Sequence, residues 1–103
     1  MKLLAVTRGE RGSMLFTHTD SLQFAGRKIS VVDTTGAGDA FMAGMLTILA
    51  ERPEMEGIDR ACLTKAGQWA TAAATLACGH PGGIPSLPAR EEVVELAKFI
   101  ELL

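Results

Sequence analysis

One stretch of the 103-residue sequence combines residue types and spacing that can carry out a reaction: Asp33-Thr34-Thr35-Gly36-Ala37-Gly38-Asp39-Ala40-Phe41. A β-branched run, Val31-Val32, leads into it, and an apolar pattern of helical character leaves it. Gly36 and Gly38 flank Ala37, so the backbone N–H groups of Gly36, Ala37 and Gly38 can converge at a helix N-terminus, where unpaired donors and the helix dipole favour negative charge. That is an anion hole. Asp39 stands at its rim. In a loop that only bound phosphate, the acid would repel the ligand. In a loop that transfers a phosphoryl group, Asp39 can take the proton of an attacking hydroxyl while the amides stabilise charge on the moving oxygens. The same four residues also suit a plain strand-to-helix turn, with Asp39 as a first-turn acid favoured by the dipole.

Other phosphate loops fit less well. The sequence has no G-x-x-x-x-G-K-[ST], which excludes a P-loop. The dinucleotide fingerprint needs a small residue where Phe41 stands, and a second strand ending in an acid about 20 residues further on, where this chain reads as helical.

The elements that hold this loop can be read from pattern. Leu3 to Thr7 and Ser13 to His18 are apolar runs separated by Arg8-Gly9-Glu10-Arg11-Gly12, a hairpin signature. Thr19-Asp20-Ser21 marks another turn, Leu22 to Ala25 a third strand, and Ile29 to Val32 a fourth. Asp39 to Arg52 is apolar nearly all round, as in a helix covered on most sides, and Pro53 stops it. Ile58 to Cys78 forms a second helix whose later half, Ala70 to Ala77, is poor in large side chains and lets another element or a flat ligand come close. Gly79 to Pro85 is a glycine-rich loop. Ala89 to Leu103 reads as an amphipathic helix, with Val93, Leu96, Ala97, Ile100 and Leu103 on one face. The order is β-β-β-β-α-α-α. A helix apolar on most faces needs more cover than two helices and a small sheet supply, so the chain looks like part of a larger core.

Composition narrows the class. With 48% hydrophobic and 21% charged residues the chain is too apolar to be disordered, and its length suits one small domain. A net charge of −2, with scattered rather than clustered cations, argues against nucleic-acid or anionic-lipid partners. The longest apolar stretch, Ala40 to Ala50, is about half of what a membrane span needs. Leu3 to Val6 is far shorter than a secretory core segment, so the expected location is cytoplasmic. Cys62 and Cys78 fall on one helix, roughly 24 Å apart by the helical rise, beyond disulfide reach, and lack neighbours at zinc-ligand spacing. They read as small core residues. His18, His80 and the acids Glu91, Glu92 and Glu95 read as solvated polar residues, and Trp69 as core or pocket wall. Arg8 and Arg11 suit either phosphate contact or an exposed hairpin.

The nine residues from Asp33 to Phe41 resemble the second signature of the ribokinase-like, or PfkB, carbohydrate kinases, and the rest of the chain resembles that family's C-terminal third. Thr7-Arg8-Gly9-Glu10-Arg11-Gly12 is similar to the family's T-x-G-x-x-G nucleotide loop, and Ala77-Cys78-Gly79 and Ile84-Pro85-Ser86-Leu87-Pro88 look most like bacterial or plant fructokinases. The resemblance implies the C-terminal portion of a three-layer α/β/α fold, incomplete as it stands. It implies that Asp39 is the catalytic base and that Gly36, Ala37 and Gly38 hold the γ-phosphoryl group. It implies that Thr7, Gly9 and Gly12 line the ATP phosphates and ribose, and that Ala70, Thr71 and Ala74 wall the adenine. ATP with Mg²⁺ is the implied cofactor set. A monovalent cation such as K⁺ is implied at Asp33, Thr35, Cys78, Pro81 and Gly83. The partners implied are ATP and a sugar, fructose or a relative of it.

The family's Gly-Gly sugar motif, lid and N-x-x-E motif have no counterpart in this sequence. The expectation is therefore a fragment with little activity alone, which dimerises or is complemented by an N-terminal segment. The alternative is a non-catalytic nucleotide-binding or self-associating module.

Overall fold

The computed structural model describes residues 3–7, 11–17, 19–26, 36–51, 59–78 and 90–103. Three strands, β1 (Leu4–Thr7), β2 (Ser13–Phe16) and β3 (Ser21–Phe24), precede three helices, α1 (Ala37–Leu49), α2 (Arg60–Cys78) and α3 (Arg90–Ala97). The strands form an antiparallel sheet in the order β1-β2-β3. Leu4 pairs with Phe16 and Thr7 with Ser13, and Ser13 pairs in turn with Phe24. The expected hairpin and third strand are present. The expected fourth strand, Ile29 to Val32, lies outside the described residues.

Because side chains alternate along a strand, this register puts Ala5, Ser13, Leu15, Leu22 and Phe24 on one face. α2 covers that face. The Gly67 backbone lies against the fully buried Phe24 ring, so that a methyl group at Gly67 would overlap the ring carbons. The Ser13 and Thr71 hydroxyls are 2.7 Å apart, joining β2 to α2. Asp59 precedes α2 and its Oδ1 accepts the Cys62 N–H at 2.9 Å, an N-cap worth about 1 kcal/mol. At the β2–β3 turn the Thr17 hydroxyl accepts the Asp20 N–H at 3.0 Å.

α1 packs on the side of α2 away from Phe24. A methyl at Gly44 would stand 2.9 Å from the Trp69 carbonyl oxygen and 3.1 Å from Ala70 Cα, so the small-residue half of α2 is where another helix comes close. Ala66, Ala70 and Ala73 are buried in this region. Phe41, Met45 and Ile48 of α1 join the core, whereas Met42 and Leu46, one turn apart, are exposed.

The last helix differs from its expected extent. α3 ends at Ala97 rather than running to Leu103. Phe99 N–H and Ile100 N–H bond to the carbonyls three residues back, and the chain then joins the sheet edge. Ala25 N–H donates to Glu101 O at 2.8 Å, Leu103 N–H donates to Gln23 O at 2.6 Å, and Phe24 bridges Leu102. The free edge of β3 offers unpaired backbone groups that the chain end satisfies, and this outweighs the helical periodicity that continues through residue 103. Ile100 stays in the core, but Leu103 is exposed.

Candidate functional site

α1 begins at Ala37, two residues earlier than its apolar pattern alone marks. The cap, Gly36, takes the left-handed conformation at φ 85° and ψ −5°, which glycine adopts without a Cβ penalty. No side chain caps this end. The first helical bond runs from Ala40 N–H to Gly36 O at 2.8 Å, leaving the amides of Ala37, Gly38 and Asp39 without acceptors inside the helix. Among the described residues, a Cβ built on Gly38 would meet nothing within 4 Å. Asp39 is exposed in the same turn and, among the described residues, has no hydrogen bond or ion pair. Ala40 and Phe41, both buried, anchor the turn in the core. Donors and carboxylate thus share one helical turn, held from behind by the core.

A second group of residues assembles around Ser13. Thr7, exposed at the end of β1, lies directly opposite Ser13, whose hydroxyl meets that of Thr71 on α2. Thr71 Oγ1 also donates to the Gly67 carbonyl at 2.8 Å. The structure therefore brings Thr7 and Thr71 to one place through a residue that the motifs do not single out. Gly12, next to Ser13, has φ 98° and is buried with its Cα against the backbone of 24–26, so a side chain there would collide with the Phe24 carbonyl. Gly12 is thereby required by the packing of the hairpin itself. Gly9 lies outside the described residues.

Ala70, Thr71 and Ala74 do not form one open wall. Ala70 is fully buried under α1, Thr71 faces β2, and Ala74 is half-buried. Of the residues expected to hold a cation, Cys78 closes α2. Asp33, Thr35, Pro81 and Gly83 lie outside the described residues. Among the described residues no three His, Cys, Asp or Glu side chains gather as a metal group. Cys62 is a buried free thiol. No described helix is long and apolar enough to cross a membrane.

Motif reading also passes over a crevice of about 190 Å³ where the three helices meet. Ala40, Gly44, Thr47, Trp69, Ala73 and Arg90 are among its walls, and the Arg90 guanidinium lies 5.0 Å above the Trp69 ring. Its signal in the sequence is the small-residue stripe Ala40, Ala43, Gly44 and Thr47 at helical spacing. It is smaller than the pockets that enclose whole cofactors.

Comparison with known proteins gives this geometry a setting. The chain is 43% identical over 95 residues to the "Probable fructokinase-6, chloroplastic" of Arabidopsis thaliana, covering 92% of this chain and 24% of that protein. It is 34% identical over 98 residues to a fructokinase of Vibrio alginolyticus, covering 95% of this chain and 30% of that protein. Among solved structures it superposes on the fructokinase of Vibrio cholerae O395, a form bound to fructose, ADP and calcium ion. That match has a TM-score of 0.81 and 29% identity, over 92% of this chain and 30% of that one. The ribokinase of Thermotoga maritima matches with a TM-score of 0.77 and 33% identity, over 94% of this chain and 30% of that one. The fold is thus a portion of the ribokinase-like fold, and the chain spans less than a third of the length of these relatives. The family model for pfkB family carbohydrate kinases matches residues 1–90, and on that match the chain belongs to the pfkB family of carbohydrate kinases.

Proposed function

We propose that this chain supplies the phosphoryl-transfer half of an ATP-dependent sugar kinase, with fructose as the acceptor. One observation carries the reading: three first-turn amides without helical acceptors, a Gly38 whose Cβ position is free among the described residues, and an exposed Asp39 with no partner among the described residues share a single turn of a chain in a carbohydrate kinase family. Its relatives are named fructokinases, and the Vibrio cholerae protein has been seen with fructose and ADP bound.

The amides of the Gly36–Asp39 turn take the γ-phosphoryl oxygens, and the helix dipole adds to their attraction. The acceptor hydroxyl lies beside Asp39. Its oxygen bonds to the γ-phosphorus, the bond to the β,γ-bridging oxygen breaks, the proton passes to the Asp39 carboxylate, and ADP leaves with the electron pair. The amides are fixed before reaction, so charge that spreads over the transferring oxygens is stabilised without reorganisation. Thr7 and Gly12 sit on the hairpin that would meet the rest of the nucleotide, with Ser13 and Thr71 holding that hairpin on α2. Mg²⁺ would neutralise the phosphates, and a monovalent cation, K⁺, would be held near Asp33, Thr35, Cys78, Pro81 and Gly83. Calcium and potassium ions in two forms of the Vibrio cholerae fructokinase support metal use in the family.

A second reading follows from the share of the relatives that the chain spans: a nucleotide-binding module without transfer. Calorimetry with ATP and a coupled assay with ATP and fructose separate the two. The kinase reading expects sugar-dependent ADP formation once the N-terminal part of a family member is present. ATP binding with no turnover in that assembly establishes the module instead.

A further inference from the structure

Ser13 and Thr71, 2% and 5% exposed, are the buried polar side chains among the described residues, and they meet across the seam between β2 and α2. Counting protons gives the direction of their hydrogen bond. A threonine hydroxyl carries one hydrogen, and that of Thr71 goes to the Gly67 carbonyl at 2.8 Å. Ser13 is therefore the donor in the 2.7 Å contact, and a relay runs from Ser13 through Thr71 to the backbone of α2. Both hydroxyls are covered, and neither has a hydrogen left to offer a ligand. Around them the seam is apolar, with Leu15 and Phe24 buried and the bare backbone of Gly67 on the Phe24 ring. Apolar contact is non-directional and does not by itself fix where α2 sits along the strand. A hydroxyl pair is satisfied only over a narrow range of distance and angle.

The relay aligns the root of the first hairpin. Thr7 pairs with Ser13 across the ladder, and Gly12, seated against the backbone of 24–26, precedes it in the chain. Both ends of the Thr7–Gly12 loop thus come together at the one residue of β2 that is tied to α2 by a side-chain hydrogen bond. Stability does not require the pair: replacing both partners of a buried hydrogen bond by apolar groups of like shape is close to neutral, whereas removing only the acceptor strands a buried donor. We propose that Ser13 and Thr71 are positioning residues for nucleotide binding, which hold the loop ends at the one alignment on α2 where the loop meets the nucleotide. Thr71 then acts through Ser13 and not as a wall against adenine. The inference rests on the kinase reading for the identity of the ligand.

The test pairs calorimetry with ATP and thermal unfolding on the purified chain and four variants. Ser13→Ala strands no donor, because Thr71 still donates to Gly67; it should unfold at the native temperature and bind ATP at least about tenfold more weakly. Thr71→Val strands the Ser13 hydroxyl and should lower the unfolding temperature. Joining the two, Ser13→Ala with Thr71→Val, should recover the unfolding temperature without recovering the affinity. Thr71→Ser keeps the hydroxyl and should hold ATP affinity to within about twofold. A pair that serves only the core gives the opposite pattern, with affinity following the unfolding temperature. Native affinity in Ser13→Ala or in the double variant therefore overturns the proposal and leaves the kinase reading standing, and so does a large loss in Thr71→Ser, which would put the methyl group and not the hydroxyl at issue. Absence of ATP binding by the native chain overturns both.

Discussion

Gly38 is the residue at which folding and function make opposite demands most clearly. Its would-be Cβ meets nothing within 4 Å among the described residues, and alanine is a better helix former than glycine, so Gly38→Ala should leave stability unchanged or raise it by up to about 1 kcal/mol. A phosphate seated on the adjacent amides would meet that methyl group. The expected result is unchanged thermal unfolding with ATP affinity lowered at least about tenfold by calorimetry; equal affinity in the folded variant would mean that no anion approaches here. Gly12 shows the converse. The motif reading assigns it to the nucleotide loop, yet its positive φ and the Phe24 carbonyl behind it already require glycine. The spacing of Gly36, Ala37, Gly38 and Asp39 was legible in the sequence because a helix start fixes where amides point. Ser13 was not, since only the register of β1 on β2 and the descent of α2 put it between Thr7 and Thr71.

At the scale of elements, the α2–sheet contact depends on having no side chain at residue 67. Gly67→Ala gains up to about 1 kcal/mol of helix propensity but drives a methyl into the buried Phe24 ring, an overpacking cost of about 1–3 kcal/mol. Strain should win. Denaturant unfolding is expected to show a net loss of about 1–2 kcal/mol with the m-value unchanged, whereas a more stable variant would contradict the packing described. Hairpin and helix order follow from local periodicity, which is why they could be read in advance, whereas α1, apolar nearly all round in the sequence, buries Ala40, Phe41, Gly44, Met45 and Ile48 and leaves Met42 and Leu46 exposed. The end of α3 could not, because it is decided at a distance: Glu101 and Leu103 satisfy backbone groups of Ala25 and Gln23, some 80 residues earlier in the chain. Truncating Glu101–Leu103 should expose that edge and speed amide exchange at Ala25, whose N–H donates to Glu101 O, at least about tenfold, while exchange in α1 stays unchanged. Unaltered exchange at the β3 edge would show that the tail does not hold it.

For the molecule as a whole, the apolar α1 pattern called for more cover than the chain's own elements give. Met42, at 48% exposed, and Leu46, at 54%, remain uncovered among the described residues. The chain spans less than a third of the length of its fructokinase relatives. Whether the assembled site transfers phosphoryl groups rests on Asp39. The most direct measurement is kcat for sugar-dependent ADP formation by the chain assembled with the N-terminal part of a family member, compared for Asp39 and Asp39→Asn, with ATP affinity measured on the same samples. Asparagine keeps the size and removes the proton acceptor, so kcat should fall at least about a hundredfold while ATP affinity is retained. A variant that turns over fructose at a near-normal rate would contradict the assignment of Asp39 as the base, and with it the reading of the α1 N-terminus as a transfer site.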